Sequence, residues 1–146
     1  MLPAPVAFLD TGVIIAPNSD VLFDGYGQDF ADYFNNKGFD WKSLAGAQVL
    51  EIGGLSALDY IDQVASTASG NYLDHNIRVN NVISSYSMNI GVYFQRLGNL
   101  ASSRVLRQTS LNFSVIPVGS TTGTPESIDV PFVSIYGGQR FTDGPS

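Results

Sequence analysis

The chain has 146 residues, the size of one ordinary domain, and 44% of them are hydrophobic, enough for a sizeable core. Only 14% are charged, against about 25% in typical soluble domains, and the net charge of −6 disfavours a nucleic-acid backbone or an anionic membrane as partner. There is no cysteine, hence no disulfide framework or thiolate chemistry, and one histidine excludes a multi-histidine metal site within one copy.

Val6 to Leu9 and Gly12 to Ile15 are short apolar or β-branched runs around Asp10-Thr11-Gly12, and predict two strands joined by a turn. Pro17 to Asp20 predicts a loop, followed by the apolar Val21-Leu22-Phe23 and the glycine pair of Gly25-Tyr26-Gly27. Phe30, Tyr33 and Phe34 stand at i, i+3 and i+4, so a short helix is expected from Asp29 to Asn35. Asp40 is placed to cap a further turn carrying Trp41, Leu44 and Ala45, with Gly46 free to take the left-handed position at its end. Val49 to Ile52 predicts a strand ending in the turn Gly53-Gly54.

Ala57, Tyr60, Ile61, Val64, Ala65 and Ala68 form one continuous apolar stripe at helical spacing, with Ser56 as N-cap and Ser69-Gly70 as the stop. Val82, Ile83, Tyr86, Ile90, Tyr93, Phe94 and Leu97 also fit one helical face ending at Gly98, with a strand starting near Val82 as the alternative. Leu111, Phe113 and Val115 alternate with Asn112 and Ser114, and Ile128 to Tyr136 predicts a last strand whose Pro131 belongs at an edge or bulge. This order is that of an α+β fold with a small, mostly antiparallel sheet.

Charge is uneven. Residues 1–77 sum to −8 and residues 78–146 to +2. Complementary faces of one fold are the favoured cause, since exposed charges are largely screened at physiological salt.

Phe8-Leu9-Asp10-Thr11-Gly12-Val13 resembles the active-site loop of aspartic proteases, in which two aspartates share one proton across a dyad, so that one copy per chain implies a symmetric dimer of the retroviral type. The same residues are good hairpin-turn chemistry, which is the favoured reading. His75 stands beside Asp74, but no Gly-x-Ser-x-Gly elbow accompanies it. Asp20, Asp24, Asp29 and Asp32 do not have calcium-loop spacing and read as a solvated acidic face. No metal or cofactor is expected.

The run from Phe39-Asp40-Trp41 through Ala45-Gly46-Ala47 and Val49-Leu50-Glu51-Ile52 to Gly54, followed by the capped helix, resembles the second half of a PDZ domain. Ala57 to Ile61, His75 to Asn80 and Val130-Pro131-Phe132 extend the likeness over about residues 4–143. As a whole the chain resembles the PDZ-like region of secreted fungal S41-family, CPAF-related serine peptidases.

This resemblance implies a PDZ-like sheet or partial barrel with one long helix and shorter ones. It also implies an extracellular, monomeric, non-catalytic module that binds a peptide or protein segment, or the peptidase domain of its own parent chain. The nucleophile of such enzymes lies in a later domain, and residues 141–146 read as the start of a linker towards it. Gly25, Tyr26 and Gly27 come nearest to the carboxylate loop of PDZ domains, with Gln28 in place of its last apolar residue. Ala57, Tyr60, Ile61 and Val64 are the expected groove positions on the helix, and equally good core positions. Two other expectations stand beside this one: a homodimeric aspartic protease using Asp10, and a secreted adhesive or carbohydrate-binding domain.

Overall fold

The computed structural model describes residues 1–67, 74–102 and 108–134. The chain opens with β1 (Val6–Leu9) and β2 (Gly12–Ile15), then α1 (Ser19–Asp24), α2 (Gln28–Asn36) and a single 3-10 turn over Lys42–Leu44. β3 (Gln48–Ile52), β4 (Leu55–Ser56) and α3 (Ala57–Thr67) follow, and then α4 (His75–Val82). The last part holds β5 (Ser85–Asn89), β6 (Val92–Arg96), α5 (Gly98–Ser102), β7 (Ser110–Ile116) and β8 (Glu126–Pro131).

One sheet runs in the order β1-β2-β3-β7-β8, with β4 attached to β3, and every described strand pair is antiparallel. The fold is therefore mixed α and β on a mostly antiparallel sheet. The described strands form an open sheet with edges at β1 and β8, and not a closed barrel.

Local chemistry explains most of these elements. β1 and β2 pair from Val6 with Ile15 to Leu9 with Gly12, so the Asp10-Thr11 turn fixes their register. Asp40 Oδ1 accepts from the Lys42 N–H, and Gly46 has φ of 77° after the turn. β3 carries a bulge between Val49 and Glu51 against β7. Strict alternation would turn Glu51 inward after the buried Val49. The extra residue, Leu50, instead leaves Glu51 exposed and Ile52 fully buried. Gly53 and Gly54 both have positive φ, which a two-residue hairpin into β4 requires.

Two apolar clusters result. The main core joins Leu2, Val6 and Ile15 to Ile52, Ile61, Phe113 and Val130 under α3. A second, aromatic cluster holds Phe23, Phe30, Phe34 and Trp41, with Val133 beside them.

Three expectations change. Ser19 and Asp20, expected in a loop, instead begin α1, which runs on through the apolar Val21-Leu22-Phe23 and turns Phe23 fully into the aromatic cluster. The helical face expected from Val82 to Leu97 is the end of α4 followed by the hairpin β5–β6, a separate two-stranded sheet. The last strand starts at Glu126 and ends at Pro131, on the β8 edge where proline costs no ladder bond. The helix stop at Ser69-Gly70, the strand end at Tyr136 and residues 141–146 lie outside the described residues.

The β5–β6 turn is unusual. Ile90 has φ of 49° and Gly91 of 75°, and the Ile90 side chain is 94% exposed. A β-branched residue in the left-handed region is strained, whereas Asn-Gly suits a turn with two positive φ values. Ile90→Asn is expected to raise stability by about 1 kcal/mol, read as a higher urea midpoint with an unchanged slope.

Candidate functional site

The sheet has a gap on one flank of β3. On that flank β2 meets β3 in register at Ile14 with Gln48, and β4 meets it at Glu51 with Ser56 and Ile52 with Leu55. Between them, Val49 and Leu50 have no strand partner on that side among the described residues. A groove of about 390 Å³ occupies this gap. That is within the range of about 300–1,000 Å³ usual for ligand pockets.

Its walls come from three directions. Phe8, Leu9, Gly12 and Val13 line it from the β1–β2 hairpin, Gln48, Val49 and Leu50 from β3, and Ser56, Ala57 and Leu58 from the start of α3. None of these ten residues is charged. Phe8, Leu9 and Leu58 are 39%, 55% and 63% exposed, so three large apolar side chains stand at its mouth. A neighbouring cavity of about 520 Å³ shares Phe8 and Leu9 and adds Asp10 and Thr11.

α3 is placed by its own sequence. Ser56 Oγ accepts from the Asp59 N–H at 3.2 Å, the expected N-cap bond, and the stripe of Ala57, Ile61 and Ala65 is buried in the main core. The one-residue step from Ala57 to Leu58 turns the chain from core to groove mouth.

The seven expected groove residues divide between the two clusters. Ala57 is 4% exposed and lines the groove at its floor. Ile61 is wholly core. Tyr60 and Val64 are half-buried against that core, and burial raises the Tyr60 hydroxyl above the ordinary tyrosine range. The Tyr60 ring also covers the Gly53 turn, where a Cβ on that glycine would lie 3.2 Å from Cε2.

Gly25, Tyr26 and Gly27 join α1 to α2 beside the aromatic cluster, where Tyr26 stacks on Phe23 and Phe30 at 5.8 and 5.6 Å. The N–H groups of Gly25, Tyr26 and Gly27 donate to the carbonyls of Leu22, Phe23 and Asp24. All three amides are thus bound to α1, and the loop offers none of them as a cup for a carboxylate. The helix positions and the glycine loop are not brought together.

Asp10 stands in the turn between β1 and β2 and lines the second cavity beside Phe8 and Leu9. His75 is the first residue of α4, and its Nε2 pairs with Asp62 Oδ1 on α3, not with the adjacent Asp74. The Asp74 carboxylate caps α4, accepting from the N–H groups of Asn76 and Ile77 at 2.8 and 3.3 Å. Asp24 is bound to Lys42 at 2.9 Å and holds that ammonium above the usual lysine range. Asp32 accepts from Gln28 Nε2. Among the described residues no three acidic, histidine or cysteine side chains cluster as metal ligands. No described helix is long and apolar enough to cross a membrane.

Sequence reasoning named only Ala57 among the groove residues. Phe8, Leu9, Val13 and Leu58 were legible as apolar, but the gap that makes them a site depends on which strands pair with β3. Comparison with protein-family models, with curated proteins and with solved structures gives no match for this chain.

Proposed function

We propose that the chain is a non-catalytic, PDZ-like module of a secreted S41-type serine endopeptidase, binding an extended peptide segment to position substrate or to regulate the parent enzyme. The observation that carries the binding role is the uncharged groove at the unpaired stretch of β3. An extended segment laid there meets the Val49–Leu50 stretch on one side and the first turn of α3 on the other. Its apolar side chains then enter the space between Phe8, Leu9 and Leu58. The likeness of residues 39–68 to a PDZ half-domain supports the same reading, and the wider resemblance over about residues 4–143 supplies the peptidase context.

Amide resonances of the isotope-labelled protein test it during titration with extended peptides. Shifts are expected at residues 8–13 and 48–58. Shifts confined to residues 25–27, or absent at millimolar peptide, defeat the reading. Incubating the pure chain with unfolded casein at acid pH is expected to leave the casein intact. Pepstatin-sensitive cleavage that disappears in Asp10→Ala would replace this reading with that of a dimeric aspartic protease.

A further inference from the structure

We infer that the groove selects an internal, cationic segment, an apolar side chain flanked by lysine or arginine, and discriminates against a free C-terminal carboxylate. This rests on the peptide-groove reading above and adds the chemistry of the ligand.

The first ground is charge. The lining residues belong to β1–β2 and to β3, β4 and α3, and the stretches 6–15 and 48–67 that carry them contain no lysine, arginine or histidine. Their charged residues are Asp10, Glu51, Asp59 and Asp62, all carboxylates. Asp62 is paired with His75. The other three are exposed and each meets a lining residue: Asp10 lines the neighbouring cavity with Phe8 and Leu9, Glu51 stands opposite Ser56 in the β3–β4 pair, and the Asp59 N–H donates to Ser56 Oγ. The apolar slot therefore has an acidic border, and complementarity calls for cations on either side of the apolar side chain.

The second ground is what recognition of a carboxylate would require. A terminal carboxylate needs free backbone N–H groups in a nest or a basic side chain nearby. The glycine loop spends its three amides on α1, and it belongs with the aromatic cluster, away from the residues that line the groove. At the start of α3, Ser56 Oγ takes the Asp59 N–H and the Asp59 carboxylate offsets the positive end of the helix, while Asp10 beside Phe8 and Leu9 adds a second charge of the wrong sign.

The test uses three synthetic hexapeptides of alternating lysine and leucine or glutamate and leucine, followed by calorimetry or fluorescence anisotropy. The first is the Lys–Leu peptide acetylated and amidated, the second its Glu–Leu counterpart, and the third the Lys–Leu peptide ending in a free carboxylate. The blocked Lys–Leu peptide is expected to bind about tenfold more tightly than the Glu–Leu peptide, the sum of a few exposed charge pairs. It is also expected to bind more tightly than the free acid. Asp10→Asn should cost about threefold, and the difference between peptides should shrink in about 0.5 M salt. Leu58→Ser should weaken the Lys–Leu peptide and show that attraction occurs at the groove.

Equal or tighter binding of the Glu–Leu or free-acid peptide overturns the inference and leaves peptide binding standing. Binding insensitive to Leu58→Ser overturns it too, because the cations are then held elsewhere. Failure of all three peptides to bind removes the peptide-groove reading itself.

Discussion

Gly98→Ala is expected to cost about 4 kcal/mol, well beyond the effect of an ordinary surface substitution. Gly98 follows β6 and starts α5 at φ of 77°, a conformation that strains any L side chain. Space is the larger difficulty. A Cβ there would lie 2.4 Å from the carbonyl oxygens of both Val82 and Ile83. Those atoms are backbone at the end of α4 and cannot swing aside as a long side chain would. To relieve the overlap α5 must move, yet it places Leu100 and Ala101 in the main core, and the Ala101 carbonyl accepts from the Leu2 N–H. For a chain of this size the melting temperature should fall by about 12 °C. Gly119→Ala is the control, since Gly119 has φ of 79° but a Cβ on it would meet nothing within 4 Å. It should cost about 1 kcal/mol, from backbone conformation alone. Equal losses in the two variants would remove the close approach as the cause.

The second large loss is expected at Phe34→Ala. Phe34 is fully buried, and its ring centroid lies 4.8 Å from Phe30, 5.0 Å from Tyr33, 5.5 Å from Phe39 and 5.7 Å from Trp41. Removing it leaves a cavity and breaks four ring contacts, a loss of about 4 kcal/mol in denaturant unfolding. Trp41 is the single tryptophan, 5% exposed, and reports the same event as a red shift of fluorescence. Phe34→Leu keeps most of the volume and should lose about half as much. If Trp41 emission is unmoved in Phe34→Ala, the cluster does not depend on this ring.

Where local chemistry decides, the sequence was informative. The two runs flanking Asp10-Thr11 became β1 and β2 with the bounds expected, and the stripe from Ala57 to Ala65 became α3 with Ser56 as its cap. Residues 82–97 misled because a helical spacing coexists with strict alternation: Tyr86, Met88 and Ile90, then Val92 and Phe94. The turn between the two strands is Ile-Gly, and isoleucine carries no turn signal. α1 was hidden for a different reason. Asn18 makes no side-chain cap bond, and an apolar run of three residues is too short to show a period. The groove was least legible, since it arises from the bulge at Leu50 and the separation of β2 from β4, both set by pairing with distant strands.

Residues 5 and 6 join the local β1–β2 hairpin, where the Pro5 carbonyl accepts from the Ala16 N–H, but residues 1–6 are also tied to partners far along the chain. The Met1 N-terminal ammonium donates to the Val133 carbonyl, and the Val133 N–H donates back to the Met1 carbonyl across 132 positions. Leu2 donates to Ala101, and the Val6 carbonyl accepts from Ser84. During synthesis, then, these apolar residues are made long before the residues that cover them. Folding rates fall as contacts become more distant in sequence, so the contacts of Met1 and Leu2 with Val133 and Ala101 slow the folding of this arrangement. The nascent chain leaves Leu2, Ala4 and Val6 exposed until most of the domain has emerged, and that interval is where a chaperone has its opportunity.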